Sequence, residues 1–152
     1  MSSIKVVDLN STNITNFQKS FVGCLVITND NKILLQKRGD NWDRFPGCIT
    51  TFGGQIELEE TPSQTLVREL KEELGATVIP AEAIYLGAIT ESYTNYSELI
   101  YTYLWHDKAN TITGCYEGET KLFNNYSEII NNPKTMDDVL WVVNECLVKG
   151  LL

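Results

Sequence analysis

GQIELEETPSQTLVRELKEELGA, residues Gly54–Ala76, is the stretch on which the reading of this chain turns. Thr61 can cap a helix, Pro62 suits its first position and Gln64 completes a capping box with Thr61. Gly75 supplies the stop, which predicts a helix over Pro62–Leu74. Leu66, Val67, Leu70 and Leu74 lie on one arc of that helix and should face a core. The acids lie on the adjoining arc. At about 100° per residue, Glu69, Glu72 and Glu73 fall within an arc of about 100°. Between Glu57 and Glu73 there are six glutamates against two basic residues, Arg68 and Lys71, and Lys71 points to another side. Like charges three and four residues apart destabilise a helix. Two readings follow: a solvated helix face, or a set of oxygen ligands that a hard dication such as Mg²⁺ or Mn²⁺ would neutralise. Spacing alone does not choose between them.

Outward from this helix the chain alternates strands and helices. Phe21–Thr28 and Lys32–Gln36 are apolar runs joined by Asn29-Asp30-Asn31, which predicts strand, turn, strand. Gly39–Gly47 reads as a loop carrying Trp42, Phe45 and Pro46, and Cys48–Phe52 as a short strand running into Gly53-Gly54. Strands are expected again at Ile84–Ser92 and Leu99–His106, and more weakly at Cys115–Phe123. A last helix carries an apolar stripe of Met136, Val139, Leu140, Val143, Cys146 and Leu147, with Thr135 and Asp138 expected as its capping pair. Met1–Gln18 is read as a loose polar leader and residues 19–152 as one α/β domain.

Composition narrows the function. The chain has 152 residues, 12 basic and 20 acidic, for a net charge of −8. So acidic a chain is a poor nonspecific partner for nucleic acid or an anionic membrane. The single histidine, His106, excludes a two-histidine zinc site within the chain. Four cysteines without a C-x-x-C pair read as buried thiols in a reducing compartment. With no signal-peptide pattern and no apolar run near the ~18 residues of a membrane span, a cytoplasmic location is expected.

The wider spacing of the opening stretch is more specific. Gly54, five residues, Glu60, seven residues, then Arg68-Glu69-Leu70-Lys71-Glu72-Glu73-Leu74-Gly75 resembles the Nudix box, G-x5-E-x7-R-E-U-x-E-E-x-G-U, in which U is a bulky aliphatic residue. All seven fixed letters match, a coincidence on the order of 10⁻⁸ per starting position. Ala76 departs from the pattern by being small. Phe52-Gly53-Gly54 is similar to the glycine pair that enters the family's loop, and Leu34-Leu35-Gln36-Lys37-Arg38 to its L-L-x-x-R strand.

The resemblance implies the Nudix α/β/α sandwich, with a mixed β-sheet between helices, and metal-dependent hydrolysis of a pyrophosphate linkage in a nucleotide or nucleoside diphosphate derivative. It implies Mg²⁺ or Mn²⁺ on Glu69, Glu72 and Glu73, joined by the backbone carbonyl near Gly53 and Gly54. It casts Arg68 as the residue that orients these carboxylates and Glu60 as a brace for the loop or a contact to metal through water. Arg38 is a candidate for phosphate binding, with surface exposure as the alternative. The general base is Glu69 itself or a carboxylate from Glu117-Gly118-Glu119, which otherwise reads as a solvated turn. Trp42, Phe45, Tyr93, Tyr96 and Trp105 are candidates to stack on a base, against core or rim packing; His106 and Trp141 read as structural. The expected partner is a nucleotide-like small molecule, without nucleic acid or membrane, and a homodimer is left open. A nucleotide-sugar sensor and an RNA 5′-end pyrophosphohydrolase are the rival readings. The acid set argues against the first and the charge against the second.

Overall fold

The computed structural model describes residues 3–152. Its centre is strand β2 (Lys19–Ile27), which lies parallel to β7 (Glu98–His106) over its whole length, from Lys19 opposite Glu98 to Ile27 opposite His106. The other edge of β2 is shared. Strand β5 (Phe52–Gln55) runs antiparallel to Phe21–Cys24, and β3 (Ile33–Lys37) antiparallel to Val26–Ile27. The rest of the sheet is β1 (Ile4–Val7) on β6 (Ile84–Glu91), β6 on β7, and both β4 (Ile49–Thr50) and β8 (Glu119–Phe123) on β3. The result is one mixed eight-stranded sheet.

Alternation along β2 explains why its sequence is apolar from Phe21 to Ile27. Leu25 and Ile27 point to one face, where they meet Val139, Val142, Val143 and Cys146 of α3 (Asp137–Val148). Val22, Cys24 and Val26 point to the other, against Leu66, Leu70 and Leu74 of α1 (Pro62–Leu74). A strand covered on both faces has no polar side to show. Trp105 and Tyr103 of β7 are buried beneath α1, so Trp105 is core. Trp141 packs against the α3 layer. The three leucines of α1 have no exposed surface, and their burial contributes roughly 1.5–3 kcal/mol each. Helix–sheet–helix layering is thus present as the resemblance implied.

Helix α1 spans the predicted residues. Thr61 accepts from the Gln64 N–H, the Gln64 side chain closes the capping box, and Gly75 ends the helix with φ of 65°. Two expectations are corrected, and one element is added. The leader read as loose contributes β1, antiparallel to Ala88–Glu91, although Met1 and Ser2 lie outside the described residues. An edge strand is held by its backbone, which no side-chain pattern announces. A one-turn helix, α2 (Tyr126–Ile130), intervenes before α3. The Thr135–Asp138 capping pair does not form: Met136 is the N-cap and makes no side-chain cap bond. Pairing of Ile49 with the 134–136 backbone holds Thr135 extended, and its hydroxyl donates instead to the Ile129 carbonyl at 2.8 Å. All four cysteines are free thiols. No helix among the described residues is long and apolar enough to cross a membrane.

Gly53 is where the sheet demands glycine. Its φ is 146°, and a Cβ placed there would lie 1.9 Å from the Val22 carbonyl oxygen across the β2–β5 ladder. Gly53→Ala is therefore expected to lose about 3 kcal/mol or more, measured by urea unfolding; a loss below about 1 kcal/mol would show that β5 re-registers freely.

Candidate active site

Because β5 runs straight into the turn before α1, the two glycines lie under the acidic arc of the helix. Glu73 is buried, 1% exposed, between two strands. Its Oε1 accepts from the Gly53 N–H at 2.9 Å and its Oε2 from Gln36 Nε2 of β3, also at 2.9 Å. Burial pushes its carboxyl up to about 8; the Gly53 bond opposes that, and the charges of Glu117 and Glu69 add to it. Glu69, one turn earlier, packs its carboxylate against the bare Cα of Gly54, where an added Cβ would come within 2.4 Å of an oxygen. Its carboxyl is also raised, because burial outweighs the bond from Arg68.

Arg68 organises the rest. Its Nε and Nη2 grip Glu60 at 2.7 and 2.9 Å, a two-pronged contact that orients the guanidinium. Nη1 donates to Glu69 at 2.8 Å and lies 3.4 Å from Glu72, and Nη2 also caps the Gln55 carbonyl. Glu57 stands 3.7 Å away. These bonds, with the Thr65 hydroxyl, hold the Glu60 carboxyl far down, at about 2. Glu72 remains mostly exposed.

A cleft of about 280 Å³ opens beside this cluster, lined at one end by Gly53, Gly54, Gln36 and Glu117. Glu117 faces the buried acids closely enough to raise both Glu73 and Glu69, whereas Glu119 lies on β8, solvent-exposed, 3.9 Å from Lys37 Nζ. Of the two acids singled out in that segment, the structure brings Glu117 to the cleft. Arg38 also lines it. Its Nε donates to the Arg44 carbonyl at 2.7 Å and its guanidinium lies over Trp42 at 4.5 Å. Of the aromatic candidates, Phe45 lines the cleft and meets Tyr93 edge-on. Tyr96 sits under Lys5.

The other end of the cleft carries acids that sequence reasoning missed. Glu91 ends β6 and is 5% exposed, and Asp138, read as a cap, lines the same wall. Burial pushes Glu91 up to about 8, with Asp138, Asp137 and Glu98 adding and Arg44 opposing. Gln36 was also missed. A glutamine inside the apolar run KILLQ was its only signal. A larger cavity of about 770 Å³ lies at the far end of the sheet, beside Ile27, Ile33, Leu104 and His106, and holds none of the carboxylates of α1.

The donor set suits a hard dication: carboxylates and main-chain oxygens, no thiol or imidazole, and a glycine Cα that leaves the Glu69 carboxylate room against the backbone. As placed, the side chains do not close three such ligands around one point among the described residues, because they turn toward Arg68, Gly53 and Gln36.

Comparison with known proteins agrees with this geometry. The chain is 47% identical over 62 residues to the ADP-ribose pyrophosphatase of Methanocaldococcus jannaschii, covering 41% of this chain and 34% of that protein. It is 43% identical over 56 residues to the nucleoside triphosphatase NudI of Salmonella arizonae, covering 37% and 40%. The match thus spans well under half the length of either relative. Among solved structures, the MutT protein of Methanosarcina mazei Go1 superposes with a TM-score of 0.73 at 16% identity, over 91% of this chain and 99% of that one. The NUDIX domain of Shewanella oneidensis NrtR, complexed with ADP ribose, superposes with a TM-score of 0.68 at 20% identity, over 93% and 96%. At such identities the likeness is one of fold. The NUDIX domain profile matches residues 18–138, which take in the sheet, the glycine pair and the acidic helix, and the chain belongs to the Nudix family.

Proposed function

We propose that the protein is a metal-dependent pyrophosphohydrolase that hydrolyses a P–O–P linkage in a nucleotide or nucleoside diphosphate derivative. The observation that carries this reading is Glu73: a carboxylate buried behind Gly53 and Gln36, which line the cleft, with Glu69 and Glu117 close enough to act on it. Holding these acids together is unfavourable for the protein alone and becomes favourable once cations enter. In this reading Glu69, Glu72 and Glu73, with the Gly54 carbonyl, hold Mg²⁺ or Mn²⁺. The ions supply charge neutralisation at the phosphates and an acidified water. The chain's own residues do the remainder. Arg68 and Glu60 fix the direction of Glu69. Gln36 and the Gly53 N–H fix Glu73. Arg38 binds a phosphate oxygen from the loop side. Water attacks phosphorus, its proton passes to Glu117, and the bridging P–O bond breaks. The names of the two relatives, an ADP-ribose pyrophosphatase and a nucleoside triphosphatase, support this substrate class.

The test is a panel of nucleoside triphosphates, ADP-ribose, nucleotide sugars and dinucleotides, assayed with Mg²⁺ and with excess EDTA. Hydrolysis of at least one P–O–P linkage, abolished by EDTA, is expected. Activity undiminished in EDTA overturns the metal assignment. Tight nucleotide binding without turnover favours a sensor instead.

Glu73→Gln should abolish most turnover while stabilising the metal-free fold. The sign follows from the raised carboxyl. Below the ordinary value of 4.5 Glu73 is protonated whether folded or unfolded, and between there and about 8 the folded state resists ionisation. The parent therefore loses stability from this group as pH rises through that window, and the neutral glutamine does not. Melting both proteins in chelator from pH 5 to pH 8 should show the variant's advantage growing with pH. A constant difference would place Glu73 in solvent.

Glu117→Ala should lower kcat by about 10²–10⁴ with the Mg²⁺ dependence nearly unchanged, as loss of a general base does. Glu119→Ala should stay within a few-fold of the parent. If both variants keep their rates, Glu69 takes the proton.

A further inference from the structure

The end of the cleft away from the acidic helix is built for a different task. Glu91 is 95% withdrawn from solvent by its 5% exposure, and its Oε2 has no hydrogen-bond partner among the described residues. Its backbone is pinned: the Glu91 carbonyl accepts from the Tyr96 N–H at 3.0 Å and from the Thr94 hydroxyl at 3.2 Å. Asn95 and Tyr96 complete that tight turn with φ of 57° and 59°. The strand end therefore aims a fixed carboxylate into the cleft.

The nearby donors are already committed. Arg44 Nη2 spends itself on both oxygens of Glu98, at 3.1 and 3.2 Å. Ser3 donates to Asp137 at 3.1 Å, and the Val139 N–H to Asp138 at 2.9 Å. Arg38 lies near enough to act on Asp138, so the acceptor left without a donor is Glu91. A buried acceptor without a donor is unfavourable, so the ligand that suits this wall brings N–H groups with it. Apolar side chains, Phe45, Phe21 and Ile100, line the same cleft. These acids are also separate from the other set. The charges that act on Glu91 are those of Asp138, Asp137, Glu98 and Arg44, while those acting on Glu73 are Glu117 and Glu69.

We propose that Glu91, backed by Asp138, determines which nucleotide the enzyme takes by accepting a hydrogen bond from an amino group on the base, which lies against Phe45 while the phosphates reach toward Gly54. The assignment rests on the reading that the cleft holds a nucleotide derivative. An ionised Glu91 accepts that N–H with either oxygen, and a protonated one still accepts with its carbonyl oxygen. Once Glu91 is ionised, above about 8, a base carrying a carbonyl in place of the amine leaves acceptor facing acceptor. A site whose buried polar group is left unpaired rejects such an analogue strongly.

Nucleoside monophosphates test this without hydrolysis, since they contain no P–O–P bond. Titration calorimetry with Mg²⁺ at about pH 9, where Glu91 is ionised, would compare CMP with UMP and AMP with IMP, pairs in which one member carries an amino group where the other carries a carbonyl. The parent is expected to bind the amino member of at least one pair about tenfold or more tightly, and Glu91→Gln to bring that ratio below about threefold. Equal affinity within both pairs in the parent overturns the proposal, as does failure of all four to bind. Discrimination that survives in Glu91→Gln also overturns it. The parent's own ratio needs no variant to fold. If discrimination holds but no P–O–P linkage is cleaved, the hydrolase reading falls and this assignment stands. If cleavage holds without discrimination, only this assignment falls.

Discussion

One guanidinium holds the acidic face of α1 together. Four carboxylates, Glu57, Glu60, Glu69 and Glu72, lie within 4.0 Å of Arg68, and without it the loop before the helix and the second half of the helix would carry mutual repulsion with nothing to offset it. The contacts are unequal. Glu60 takes two short bonds and fixes the plane of the guanidinium, Glu69 takes one, and Glu72 only the remaining field. Because Arg68 also caps the Gln55 carbonyl, the same group ties the loop before the helix to the helix itself. A lysine could neutralise some of this charge, but it lacks the planar fork that meets Glu60, Glu69 and Gln55 at once.

Arg68 cannot reach Glu73, and that gap shapes the rest. The innermost acid is held by neutral groups, a backbone N–H and a glutamine amide, which satisfy its oxygens without cancelling its charge. The sheet must therefore come close. Gly53 lets β5 press against Val22, and Gly54 leaves the Glu69 carboxylate room against the backbone. Acids that repel on one side and glycines that permit close approach on the other are two halves of one arrangement.

How much of this could be read from sequence follows from how local each cause is. The bounds of α1 rest on Thr61, Pro62, Gln64 and Gly75, all within one segment, and they are as expected. The double-faced burial of β2 is likewise written in Phe21–Thr28. Strand β1 is not legible, because Ile4–Val7 is held by the backbone of residues 88–91, far away in sequence. Thr135 looked like a cap because its spacing to Asp138 is right, but Ile49 decides its conformation from another strand. Gln36, Glu91 and Asp138 share that difficulty. Each is ordinary in its own segment and acquires meaning only when β3, β6 and α3 converge on one cleft.

The cleft joins groups held in two different ways. Glu73, Gln36 and Glu91 are buried in the sheet or against it, and packing on both faces leaves them little freedom. Arg38 and Arg44 come from the loop 39–47 and its edge, held by contacts that solvent can replace: Arg38 on Trp42 and on the Arg44 carbonyl, Arg44 on Glu98. The negative groups are thus set by the fold, and the positive groups opposite them are carried on the more exposed side. On the proposed function, an anionic substrate would meet the more exposed cations first and the fixed acids last, which suits acids whose mutual repulsion cations relieve. It also explains why the loop returns to the sheet through Arg44 and Glu98. That ion pair uses the cation that acts on Glu91 and leaves one oxygen of its carboxylate without a donor.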